Sequence, residues 1–254
     1  MSKNYELLQQ AEIGLGTVTA FPAGRDASAP ESLPRETTEA ALSGVEPSVR
    51  EESMKLVHRL FLTPGLAAPK AVVFAAIDSK NGCGWLSAVV AQLLAKSVPR
   101  SVCLVEGNFR TPSLPKLFGT KKRQGFSDAL QQEGAIRGFA TQVGSENLWL
   151  LSAGSAGPES TVLLNGDRMK GRVKELRSEF DYILIDAPPM NAFADGAALG
   201  RLADGVVLVL EANVTRREAA LRVTENLRNE NIPVLGAVLN SRTFPIPSAL
   251  YKRL

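Results

Sequence analysis

Ala71-Val72-Val73-Phe74-Ala75-Ala76-Ile77-Asp78-Ser79-Lys80-Asn81-Gly82-Cys83-Gly84-Trp85-Leu86-Ser87 is the stretch that decides the fold. An apolar strand runs into a polar, glycine-bearing turn, and an apolar helix, Leu86–Ser97, runs out of it. Strand, glycine-rich turn and helix in that order form the frame of a phosphate-binding loop. In such a loop glycines let backbone N–H groups cradle phosphates, a Lys meets the β/γ-phosphates, and a Ser or Thr hydroxyl holds Mg²⁺. Here Trp85 and Leu86 follow Gly84, where the Lys and the hydroxyl belong. Ser87 stands one place late. The frame is present without its charge.

Outward from the loop, the chain alternates. Apolar runs at Ala71–Ile77, Ser101–Val105, Leu148–Leu151, Tyr182–Ile185, Gly205–Leu210 and Val234–Leu239 read as strands. Several are continuous rather than alternating, as a sheet buried on both faces requires. Helical spacing fills the intervals at Gly125–Gln132, Asp167–Phe180, Ala194–Leu202 and Arg216–Asn229. The pattern predicts a doubly wound, mainly parallel α/β sheet of Rossmann-like, three-layer type. Before it, Glu51 to Leu62 predicts an amphipathic helix that Pro64-Gly65 ends. Residues 14–49 are rich in Ala, Gly, Ser, Thr, Pro and Glu, which reads as a linker. The expected division is a flexible N-terminal arm, 1–47, and one nucleotide-fold domain, 48–254.

Bulk properties narrow the function. With 254 residues, 44% apolar content and a mean hydropathy of -0.01, the chain can bury a full core. No apolar run reaches the roughly 18 to 20 residues of a membrane span, and the N-terminus lacks a signal-peptide core, so the expected location is cytoplasmic. A net charge of +3 gives no case for nucleic acid. Cys83 and Cys103 read as reduced thiols, and His58, the single histidine, excludes His-based triads and multi-His metal sites.

Ligands of doubly wound sheets bind at the carboxyl ends of the strands. Glu106 and Asn108 leave one such end two residues apart, so both can point into one crevice. Asp186 follows the run Tyr182-Ile183-Leu184-Ile185 in the manner of a carboxylate that polarises a Mg²⁺-bound water. It can equally cap the turn before Pro188-Pro189. Asn240 ends the last strand. Arg110, Lys116, Lys121, Lys122 and Arg123 form a basic cluster that reads first as a solubilising surface.

These segments together resemble the cytoplasmic domain of the bacterial tyrosine kinases of the CpsD/CapB/Wzc type, within the MinD/ParA-like P-loop superfamily. Glu106-Gly107-Asn108-Phe109-Arg110-Thr111-Pro112-Ser113-Leu114 is similar to the family's second Walker motif, and Gly125-Phe126-Ser127-Asp128-Ala129-Leu130 follows in order. Asn147 to Gly154, Phe180 to Pro189, Asp195, Ala203-Asp204-Gly205 and Leu235 to Asn240 continue the register. The similarity covers roughly Glu51 to Asn240. It implies ATP or ADP and Mg²⁺ as cofactors and a place in exopolysaccharide or capsule biosynthesis. Its partners would be a membrane polysaccharide co-polymerase (a chain-length regulator), a kinase paralogue, or further copies of the chain. Membrane association would be peripheral and through such a partner.

By the same resemblance, Asp186, Glu106 and Asn108 occupy catalytic positions, and Asp186 and Glu106 those of Mg²⁺ ligands. Lys80, Gly82, Gly84, Trp85, Leu86, Ser87 and Asn240 line the nucleotide. Glu52, Lys55 and His58 stand in the motif through which such kinases assemble, though a solvated charged face fits them equally. Tyr251, a lone tyrosine in the tail, is the candidate phospho-acceptor. Phosphoryl transfer is mostly positioning and charge stabilisation. The ammonium and the hydroxyl that Trp85 and Leu86 cannot supply are worth roughly 3 to 4 kcal/mol apiece at the transition state, by analogy with removing a preorganised donor. The leading expectation is therefore a pseudo-enzyme acting by binding. The alternatives are an active autokinase or ATPase rebuilt around Lys80, Glu106 and Asp186, and a MinD/ParA-like positioning ATPase.

Overall fold

β-Branched and apolar residues build a sheet that is dry on both faces. The structure, a computed structural model, describes residues 17–22, 45–63, 68–78, 82–121 and 124–242. Among these, the strands are β1 (Thr17–Pro22), β2 (Ala71–Ala76), β3 (Val102–Glu106), β4 (Thr141–Gln142), β5 (Leu148–Leu151), β6 (Tyr182–Ala187), β7 (Gly205–Glu211) and β8 (Val234–Arg242). Across the sheet they run β1-β8-β7-β2-β6-β3-β5-β4. Every pairing is parallel except that of β4 with β5. All residues of β2, β3 and β6 are buried. The fold is the doubly wound, P-loop-type α/β sheet that the alternation predicts.

Helices cover both faces because alternate strand residues point to opposite sides. On one face Val72, Phe74, Leu104, Leu184, Val207 and Val238 pack under α1 (Pro47–Phe61), α2 (Cys83–Ser97) and the short α3 (Leu114–Leu117). On the other, Val73, Ala75, Cys103, Val105, Ile183 and Leu208 pack under α5 (Asp167–Glu179) and α7 (Arg217–Asn229), with α4 (Phe126–Gln131) and α6 (Asp195–Gly200) at the same side. In α1 a proline opens the helix and Leu56, Val57, Leu60 and Phe61 are buried, the face that its spacing predicts.

The linker read into residues 14–49 needs correcting at both ends, since α1 already begins at Pro47. Thr17–Pro22 is not linker but β1, which adds a parallel edge strand along β8, with Thr17 opposite Gly236. Composition averaged over that segment hides the short β-branched run Thr17-Val18-Thr19, and the partner edge that makes a strand of it is over two hundred residues away. β4 and α3 also lie outside the elements that periodicity predicts, being too short to show a period.

The order of strands places the site. The chain passes from β2 to β3, skips back to β6 between them, and then crosses to β7 on the far side of β2. The carboxyl ends of β2, β3 and β6 therefore meet where the winding reverses, the crevice in which such sheets bind ligands.

Candidate functional site

The loop after β2 enters α2 through Gly82, whose left-handed backbone (φ 65°) suits glycine. The Leu86 N–H donates to the Gly82 carbonyl (2.9 Å), closing the first helical turn. Leu86 is fully buried in the apolar layer between α1, α2 and the sheet, and the half-buried Trp85 packs against that same layer. Ser87, also buried, donates to the Gly84 carbonyl (3.0 Å). Lys80 lies outside the described residues.

Asp186, at the end of β6, is 2% exposed and stands opposite Glu106 of β3 in the sheet register. Burial pushes its carboxyl up to about 7, the Cys83 thiol and the Ser87 hydroxyl bearing on it favour its charge, and the negative charge of Glu106 opposes it. Its Oδ1 has no hydrogen-bond partner. The Cys83 thiol is held well above its ordinary value, first by burial and then by the charge of Asp186. A β-carbon placed on Gly84 would sit 2.8 Å from Ser113 Oγ and 3.3 Å from Asp186 Oδ2. Gly84, Ser113 and Asp186 thus crowd around one point, which a side chain at position 84 would fill.

Glu106 has a different set of partners from the one the resemblance implies. Its Oε1 accepts from the N–H groups of Ser113 and Leu114 (2.7 Å for the latter), and its Oε2 accepts from the Ala153 N–H (3.0 Å). The longer arm of Glu reaches backbone donors on two loops, so this carboxylate is a strut. Asn108 is likewise local: its amide donates to Thr111 Oγ1 (3.0 Å) and its carbonyl accepts from the Thr111 N–H (3.2 Å). This is the Asx-type closure by which an amide stabilises its own loop.

The loop after β6 is tied on both sides. Its Met190 and Asn191 N–H groups donate to the carbonyls of Ala76 (2.9 Å) and Ile77 (3.0 Å). Asn191 Nδ2 donates to Asp78 Oδ1 (3.2 Å). Arg110 pairs with Asp195 (2.8 Å) and lies 4.0 Å above the ring of Phe193. Asn240 comes to the loop from β8, its Nδ2 3.2 Å from where a Gly82 β-carbon would be.

The structure thus brings Gly82, Gly84, Ser87, Glu106, Asp186 and Asn240 to one end of the sheet, and turns Leu86 away into the core. Tyr251 lies outside the described residues. Glu52, Lys55 and His58 do share the outer face of α1, where Lys55 pairs with Glu52 (2.8 Å) and Glu51 (3.1 Å). The hydrogen bonds that Lys55 donates to Glu52 and then to Glu51 raise its pKa. Ser113 and Cys83 lie within the quoted motif segments but are site neighbours to which those motifs assign no role. Ser113 is seven residues beyond Glu106, a spacing with no meaning until the loop folds back.

No protein-family model matches the chain. YwqD, a tyrosine-protein kinase of Bacillus subtilis, is 27% identical over 218 residues, which is 84% of this chain and 83% of YwqD. The chain is a relative of the bacterial tyrosine-protein kinases. The kinase domain of the Escherichia coli tyrosine kinase Etk matches its fold with a TM-score of 0.79, at 19% identity, over 98% of this chain and 98% of that one. MinD of Pyrococcus horikoshii, solved with Mg-ADP, matches at a TM-score of 0.58 and 18% identity, over 72% of this chain and 76% of MinD.

For this tyrosine-kinase relative, the ligands to be tested against the site are Mg²⁺ and a nucleotide. The buried, unpartnered Oδ1 of Asp186 fits a cation. The carbon of Trp85 and Leu86 does not fit the contacts that a P-loop ammonium and hydroxyl make to a nucleotide. The described residues fit the ion and not the phosphates.

Proposed function

We propose that this chain is a degenerate tyrosine-kinase relative of exopolysaccharide or capsule biosynthesis that works by binding. It docks as a regulatory module on a membrane polysaccharide co-polymerase or on a competent kinase paralogue, and reaches the inner face of the plasma membrane through that partner. The observation that carries this reading is Leu86, fully buried in the α1–α2 layer with Trp85 packed beside it. Both side chains are committed to the core, so the loop offers phosphates only backbone N–H groups and the start of the α2 dipole, enough for weak anion contact. Phosphoryl transfer needs positive charge at the transferred group, and the described residues of the loop bring none.

The outer face of α1, with Glu52, Lys55 and His58, is the surface this reading assigns to assembly with a partner or another copy. Tyr251 is then a tail residue without a kinase role in this chain.

Calorimetric titration with ATP and ADP, with and without Mg²⁺, tests the reading. The expected result is no binding at millimolar nucleotide. Micromolar, Mg²⁺-dependent binding would overturn it in favour of a rebuilt kinase site, and turnover and phosphotyrosine assays would follow.

A further inference from the structure

We propose that the outer flank of α7 docks on an anionic lipid surface, its arginines meeting phosphate headgroups while Val214 and Leu221 enter the boundary of the acyl chains. The proposal goes beyond the regulatory reading, which brings the chain to the membrane through a partner.

The seating of the helix sets what it can offer. α7 buries Ala219, Ala220, Val223 and Leu227 against the sheet, so the helix is fixed and only its far side faces outward. On that side Arg217, Leu221 and Arg228 fall within about 40° of one another at roughly 100° per residue, one stripe along the helix. Val214 stands in the turn that leads into the helix, and Arg216 is the residue at the helix's start. All five side chains are exposed. Glu218 and Glu225 lie further round, toward Arg222, one helical turn from it on either side. The stripe itself thus carries arginine and aliphatic carbon with no carboxylate.

The carbon is the less expected half. Among the described residues the large apolar side chains left exposed are Val162, Val214 and Leu221, and two of these belong to the stripe, 57% and 43% exposed. A lone exposed aliphatic is ordinary. Two of them set among arginines make an amphipathic surface. Binding to a membrane interface grows with the apolar area buried and with attraction to anionic lipid, and the stripe supplies both.

Charge complementarity calls for an anionic partner, and shape selects a bilayer among anionic partners. A protein site must match the contour of a convex helix flank, whereas a headgroup layer has no fixed shape to match. Guanidinium groups pair with phosphate oxygens two at a time. Their apolar stems lie along the acyl boundary while the charge stays among the headgroups.

The probe is vesicles of phosphatidylglycerol and phosphatidylcholine in equal parts, sedimented with the full chain alone, beside vesicles of phosphatidylcholine only. Binding to the first and not to the second is expected, falling as salt rises. Arg216→Gln and Arg228→Gln should each weaken it about fivefold, the scale of one basic residue at an anionic surface. Leu221→Ser should weaken it too, and Val162→Ser, off the stripe, should not. If the serine chain fails to fold, Leu221→Trp decides: its added indole emission should move to the blue on anionic vesicles, by difference from the parent. No binding to the anionic vesicles overturns the proposal. So does an unchanged affinity in the Leu221→Ser chain, an unmoved emission in the Leu221→Trp chain, or binding of polyglutamate as tight as that of the vesicles, which would make the stripe a site for acidic protein. Because neither partner nor nucleotide is present, failure here leaves the regulatory reading standing, and nucleotide binding in the calorimetric test leaves this one standing.

Discussion

Gly84 shows how tightly a single position binds this site together. A β-carbon there would lie only 2.8 Å from Ser113 Oγ and 3.3 Å from Asp186 Oδ2. Gly84→Ala must push the serine hydroxyl away or shift the α2 start. It is expected to cost about 1 to 3 kcal/mol, the range for overpacking, measured by urea unfolding. Glu106 gives a second residue-scale prediction. Glu106→Ala strands the N–H groups of Ser113, Leu114 and Ala153 and should cost about 3 kcal/mol or more, since each orphaned buried donor is worth about 1 to 3. Glu106→Gln keeps an acceptor and should recover part of the loss in the same measurement. The substitution of Trp85 and Leu86 for Lys and Ser/Thr is legible in the sequence, because it breaks a local pattern. The strut role of Glu106 is not, because its partners are backbone groups brought near only by the return of two loops.

Elements were legible in proportion to their period. The six apolar runs all became strands, β2, β3, β5, β6, β7 and β8, the continuous ones because a strand buried on both faces needs apolar residues throughout. α1 was legible because its buried and exposed residues repeat with the helical turn. β1 was not, since a six-residue edge strand inside a polar, Pro- and Gly-bearing segment has no contrast of its own. The charge pairs of α1 are exposed, so Lys55→Ala is expected to leave the stability of the chain nearly unchanged. If α1 serves as the assembly face, the same substitution should still weaken association, seen by sedimentation. A stability loss without any change in association would remove α1 from that role.

At the scale of the molecule, the sheet is anchored by carboxylates whose charge the fold favours. Asp204 accepts from the Lys70 and Ala71 N–H groups (2.7 and 2.8 Å) and pairs with Arg177 (2.7 Å), tying the start of β2 to the turn before β7. Burial works against its charge, but Arg177 and the two N–H groups hold its pKa below the ordinary value. Asp128, opposed by burial and favoured by the N–H groups of Ser155 and Gly125, is lowered too. So is Asp181, through the hydroxyl and N–H of Ser101. A depressed folded pKa means stability that is present in full above the unfolded carboxylate value and lost as pH falls through the folded one. The chain should therefore lose stability in acid below about pH 4, and Asp204→Asn should flatten that limb in a series of thermal melts. By itself the sequence determined the alternating α/β class, the buried strands and the placing of Trp85 and Leu86 after Gly84 in the loop, because periodicity and a local motif are properties of neighbours along the chain. Only the tertiary structure decided that Glu106 is a strut, that Leu86 joins the core, and that Gly84 lies close to both Ser113 and Asp186. Those contacts join residues of separate loops, and only the reversal of winding at β2, β3 and β6 brings those loops to one edge.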